Sequence, residues 1–113
     1  MDSTIIMSYP SIRINPSEIE SIVSLFKMFF DGKDHLWIFG SRVDLKKKGG
    51  DIDLYIETHI SDVQEVNKAK IDFLAKLYHA IGDQKIDVII NRVSHPFSMP
   101  IYDLAKQEGV QLV

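Results

Sequence analysis

Two apolar segments joined by a connection too short to hold a helix constrain this chain most. Leu36-Trp37-Ile38-Phe39 is a continuous apolar run that leads into Gly40, the pattern of a strand buried on both faces. Asp51 to Glu57 alternates: Ile52, Leu54 and Ile56 point one way, and Asp51, Asp53, Tyr55 and Glu57 the other. The nine residues from Arg42 to Gly50, with Lys46-Lys47-Lys48 followed by Gly49-Gly50, form a loop with no room for a crossover helix. The two strands are therefore expected to pair antiparallel.

The rest of the chain reads around this pair. Residues 1–14 look irregular, with a turn at Tyr9-Pro10 and a short strand candidate at Ser11 to Ile14. Asn15-Pro16-Ser17-Glu18 is a helix start with a capping residue, a proline at the first helical position and a glutamate three after the cap. Ile19, Ile22, Val23, Phe26, Phe29 and Phe30 follow at helical spacing, and Gly32 is placed to end that helix. Ser61 and Gln64 resemble a second capping box. The stripe Val63, Val66, Phe73, Leu74, Leu77 and Ile81 then predicts a helix ending near Gly82. Lys85 to Ile90 predicts a third strand with Asp87 opposite its apolar face. A short helix is expected from Pro100 to Glu108, stopped by Gly109, with Val110 to Val113 as an edge strand or a frayed tail.

The order helix, strand, strand, helix, strand, helix implies one α/β (α+β) domain over residues 1–113, with a small mixed sheet and helices mainly on one face. Composition narrows the function classes. Hydrophobic residues are 45% of the chain, enough for a core, and no apolar run reaches membrane-span length. The N-terminal residues lack the pattern of a secretory signal, so a cytoplasmic protein is the expectation. Thirteen basic residues against sixteen acidic ones argue against broad, charge-driven nucleic-acid binding. The absence of cysteine excludes disulfides and thiolate metal sites.

Three features carry the chemistry. Asp51 and Asp53, two apart on a strand, project from one face with Cα atoms roughly 6.6 Å apart. Carboxylates held that close repel unless a cation lies between them, and magnesium is the hard cation that oxygen ligands and substrate phosphates share. Asp87 offers a third carboxylate from another strand, enough for two divalent ions of the kind that assist displacement at phosphorus. Gly40, lacking a Cβ, lets a ligand approach the backbone, and the hydroxyl of Ser41 and the neighbouring amides can donate to phosphate oxygens. Arg42 is either a cationic phosphate contact or an ordinary surface cation.

Taken together, Phe39-Gly40-Ser41-Arg42, the nine-residue connection, Asp51-Ile52-Asp53-Leu54 and the later Lys85-Ile86-Asp87-Val88-Ile89 resemble the minimal nucleotidyltransferases of the DNA polymerase beta superfamily. The ending Gln107-Glu108-Gly109-Val110-Gln111-Leu112 is similar to that family's closing segment, and the likeness spans about residues 16 to 112. The resemblance implies a nucleotidyltransferase fold in which Gly40 and Ser41 hold a nucleoside triphosphate such as ATP. Asp51 and Asp53 would bind two Mg2+ ions, and Asp87 would ligate one of them beside the acceptor hydroxyl. Stand-alone members this short are prokaryotic, and many act as the antitoxin to a small helical HEPN-type toxin, some by attaching AMP to a tyrosine of that partner. The loop with Lys46-Lys47-Lys48-Gly49-Gly50 departs from the arginine-glycine-serine pattern common in relatives.

Other residues have plainer readings. Tyr55 and Glu57 are assigned to packing or solvent, Lys46 to Lys48 to a solvated loop, and His35, His59, His79 and His95 to the surface. Trp37, Phe39, Phe26, Phe29 and Phe73 are assigned to the core. The competing functional reading is a non-enzymatic antitoxin or binding module that acts by complex formation alone, since 113 residues leave little room for a separate acceptor-recognition domain. Transfer to RNA or to a small molecule is a third reading. An exposed helix face is available to a partner or to a second copy.

Overall fold

The polarity of the strands follows the expectation from loop length. A computed structural model describes residues 14–40, 51–82, 84–95 and 97–113. Its elements run α1 (Pro16–Phe29), β1 (His35–Phe39), β2 (Ile52–Thr58), α2 (Val63–Ile81), β3 (Ile86–Arg92), α3 (Pro100–Glu108) and β4 (Val110–Gln111). They build a four-stranded sheet in the order β3-β2-β1-β4. β1 pairs antiparallel with β2, and β2 pairs parallel with β3 through the α2 crossover. The final residues resolve as an edge strand, β4, antiparallel to β1. This is a small mixed α+β domain. The short strand expected at Ser11 to Ile14 lies outside the described residues except for Ile14, which packs against the core.

Period-two alternation divides the sheet into two faces. Leu36, Ile38, Ile52, Leu54, Ile56, Ile86 and Val88 form one, buried under Ile19, Ile22 and Phe26 of α1 and Phe73 and Leu77 of α2. Phe26 stacks on Phe30 at 5.0 Å, and both present their rings to the edge of Phe73. The opposite face carries a smaller cluster of Trp37, Phe39, Tyr55 and Ala105, with Ile89, Ile101 and Tyr102 against it. Two helices therefore cover one face, and the short α3 lies on the other.

Local chemistry adjusts several boundaries. Asn15 caps α1 as expected: its Oδ1 accepts from the Ser17 amide at 2.8 Å, and Glu18 accepts from the Asn15 amide at 3.4 Å. Gly32 does not end this helix. The helix stops at Phe29, because Phe30 turns into the core and a side-chain-closed turn follows. In that turn the Asp31 amide donates to Asp34 Oδ2 at 3.0 Å and the Lys33 amide to Asp31 Oδ1 at 3.1 Å. The α2 cap is Asp62 rather than Ser61: Asp62 Oδ2 accepts from the Glu65 amide at 3.1 Å, while the Ser61 carbonyl accepts from Arg92 at 2.7 Å. Val63, expected in the apolar stripe, is half exposed, and Ala69, not expected there, is buried. β3 continues beyond Ile90 through Asn91 and Arg92. Gly109 passes so close to β1 that an added Cβ would lie 2.7 Å from the Ile38 carbonyl oxygen, which accounts for a glycine where α3 turns into β4.

No helix among the described residues is long and apolar enough to cross a membrane.

Candidate functional site

The acidic residues meet where β1 ends and β2 and β3 begin. β2 and β3 run parallel with Asp53 directly beside Asp87, and β1 runs the other way with Phe39 beside Asp53. Asp53 is thus flanked by a carboxylate on one side and by the end of β1 on the other. Both aspartates lie on the face opposite the main core, because each alternates with buried neighbours: Ile52 and Leu54 around Asp53, Ile86 and Val88 around Asp87.

Gly40 closes the flank next to Asp53. Its φ of 78° lies in the left-handed region that glycine adopts freely. A Cβ there would stand 3.1 Å from Asp53 Cγ and collide with Oδ2. The backbone at the end of β1 is therefore pressed against a carboxylate, and this glycine is required on two independent grounds. Ser41 and Arg42, the remaining expected phosphate contacts, lie outside the described residues, as do Lys46, Lys47 and Lys48.

Electrostatics mark the same spot. Burial, then the negative charges of Asp87 and Asp51, raise the Asp53 carboxyl above the usual carboxylate range, with Lys85 opposing them. A side-chain hydrogen bond with Asp87 adds to the upward push. Asp51 is placed differently. It lies one residue ahead of β2, and its Oδ2 faces Lys85 Nζ at 3.4 Å. The structure therefore brings Asp53 and Asp87 together and sets Asp51 at the rim, engaged by a lysine. Among the described residues, no group of three or more histidine, aspartate and glutamate side chains is disposed as a ready-made metal site.

Lys85 was not read as part of the site, although its spacing gave a signal: two residues before Asp87, it belongs to the same side of the chain by period-two alternation. A second polar group on this face was also unforeseen. Tyr55, fully buried, donates to Glu57 Oε2 at 2.8 Å and accepts from Asn91 Nδ2 at 3.1 Å. Glu57 in turn pairs with Lys106 of α3 at 3.1 Å, and the Lys106 ammonium lies 5.4 Å from the centre of the Trp37 ring. Burial holds the Tyr55 phenol well above its ordinary range, so it stays a neutral donor. These contacts tie β2, β3 and α3 together beside the acidic pair.

His59 is more than a surface group. Its amide and Nδ1 both reach Asp34 Oδ1, at 2.8 and 3.1 Å. Asp34, buried, also accepts from Thr58 Oγ1 at 2.6 Å. Burial pushes the Asp34 carboxyl up, but donation by Thr58, His59 and the Asp31 amide outweighs it and holds the group below the usual range. This cluster sits at the opposite end of β2 from Asp53 and is structural.

Neither a family model nor a curated protein matches this chain.

Proposed function

We propose that this protein is a metal-dependent nucleotidyltransferase that moves a nucleotide monophosphate, AMP from ATP, onto a hydroxyl of a partner protein. The observation that carries the reading is the side-by-side placement of Asp53 and Asp87 on parallel neighbours, with the Gly40 backbone packed against Asp53. The residue types fit a hard cation: carboxylate oxygens, crowded enough to raise one of them, beside a backbone that carries no side chain at Gly40. Asp53 and Asp87 would hold the divalent ion, Asp51 would join them at the rim, and Mg2+ commonly completes its shell with water and substrate phosphates. The bound ion would supply charge neutralisation at the reacting phosphate.

The protein's own groups do the rest. Gly40, with no Cβ, lets the end of β1 approach Asp53 closely, and by the resemblance Gly40, Ser41 and Arg42 would form the phosphate cradle. The acceptor oxygen forms a bond to the α-phosphorus as the bond to the departing pyrophosphate breaks. The hydroxyl proton passes to a carboxylate of the pair, a role for which Asp87, the more exposed, is placed. By the same resemblance the acceptor is a HEPN-type toxin and the protein its antitoxin.

The competing reading, neutralisation by binding alone, draws on the engagement of Asp51 by Lys85 and on the lack of a complete ligand set among the described residues. One experiment separates them. The protein is incubated with Mg2+, each labelled nucleoside triphosphate and a HEPN-type partner encoded beside it. Transfer of label by the wild type and its loss in Asp53→Asn support the enzyme. Absence of transfer from every nucleotide, together with neutralisation that survives Asp51→Asn/Asp53→Asn, overturns it in favour of the binding module.

A further inference from the structure

We propose that Lys85 is a built-in counter-cation of the acidic site, occupying in the metal-free protein the charge position that a divalent ion takes over. The inference rests on the metal-binding reading above and adds to it a competition between the protein's own ammonium and the metal. The geometry is specific. The Lys85 carbonyl accepts from the Ile52 amide at 2.9 Å, which anchors the lysine backbone between Asp51 and Asp53. From there Nζ reaches Asp51 Oδ2 at 3.4 Å. Asp53 pairs in register with Asp87, and Lys85, two residues before Asp87, shares their face by period-two alternation. A cation thus stands at the rim of a group of carboxylates that repel one another.

The lysine is also free to leave. Its side chain is 70% exposed, and the long flexible stem needs no packing change to swing into solvent. A divalent ion drawing Asp51 into its shell would displace the ammonium, and the ammonium in turn lowers the site's affinity for the ion. Such a device keeps the acidic cluster folded without metal at the expense of tight metal binding.

The test uses the whole chain and Mn2+ alone, titrated by electron paramagnetic resonance, with no nucleotide or partner present. Lys85→Met should bind Mn2+ about tenfold more tightly than the wild type, the scale expected for removing one like charge about 5 Å from a divalent ion in a solvated site. Lys85→Arg, which keeps the charge, should remain within about twofold of the wild type. Lys68→Met removes a lysine from the exposed Lys68–Asp72 pair on α2 and should leave the affinity unchanged, controlling for net charge. In EDTA, Lys85→Met should melt below the wild type, a readout independent of metal. Equal Mn2+ affinity in the wild type and Lys85→Met overturns the counter-cation role and leaves the metal reading intact. Failure of all the proteins to bind Mn2+ overturns both.

Discussion

Gly40 and Asp53 lie so close that no side chain fits between them: the Asp53 carboxylate fills the space a Cβ on Gly40 would need. The left-handed φ of 78° at Gly40 adds a second reason for glycine. Gly40→Ala is therefore expected to cost about 2 kcal/mol, the sum of a left-handed alanine and a displaced carboxylate. Urea denaturation followed by circular dichroism measures it. A cost under about 0.5 kcal/mol would mean that Asp53 moves aside without strain and that the bend does not constrain the site.

Asp53 is kept from ionising freely, so it weakens the fold at neutral pH. Its raised value in the native state means that the folded protein holds the proton more tightly than the unfolded chain does. Stability contributed this way is full below the unfolded value of 3.8 and falls as pH rises through the native value. Asp53→Asn should accordingly raise Tm in EDTA at pH 7, by about 4 °C. Below the ordinary carboxylate range the gain should vanish. Scanning calorimetry at pH 7 and pH 3 checks this, and an equal gain at both values would assign the effect to packing rather than charge.

Asp34 has the opposite sign. Its native value is depressed by its donors, so its stabilisation is present above 3.8 and is lost as pH falls through the native value. Asp34→Ala should cost about 3 kcal/mol at pH 7, because the Thr58 hydroxyl and the His59 and Asp31 amides lose their acceptor together. The deficit relative to the wild type should narrow in acid. An unchanged deficit from pH 7 down to the wild type's acid transition would show that the ionised form contributes nothing.

Phe73 packs in the α1–α2 contact, wholly buried and with its ring nearly perpendicular to those of Phe26 and Phe30. Phe73→Ala should cost about 3–5 kcal/mol by chemical denaturation. Phe73→Leu, keeping most of the volume, should recover more than half of that loss. If both variants cost the same, ring-to-ring geometry rather than filled volume would account for the residue.

The strands and their polarity were legible in the sequence because they rest on local signals: alternation in Asp51 to Glu57 and a loop too short for a helix before it. The cap at Asn15 and the bounds of α3 were legible for the same reason. Where two candidates stood side by side, local pattern did not decide. Ser61 and Asp62 are both competent caps by residue type, and it is the Asp62 carboxylate that meets the Glu65 amide. Asp34 carries no local signal of burial, since Thr58 and His59, which bond it, lie 24 and 25 positions away. Of the site, the sequence carried the face on which Asp51, Asp53 and Asp87 project. It did not carry their register, which depends on how two strands separated by a helix settle against each other. Nor did it reveal that Asp51 faces Lys85, a contact that requires the neighbouring strand to be in place.

That register has a consequence for how the chain can vary. Asp53 stands beside Asp87 because Ile52, Leu54 and Ile56 align with Ile86, Val88 and Ile90 on the reverse side of the same two strands. Sliding β3 by a single position would turn Asp87 inward and Val88 outward, so greasy packing on one side of the sheet indirectly sets the distance between two charges on the other. Substitutions under α1 and α2, on the opposite face of the sheet, are therefore a route by which drift in this protein would alter its acidic pair, whereas lengthening the Arg42 to Gly50 connection would leave that register untouched.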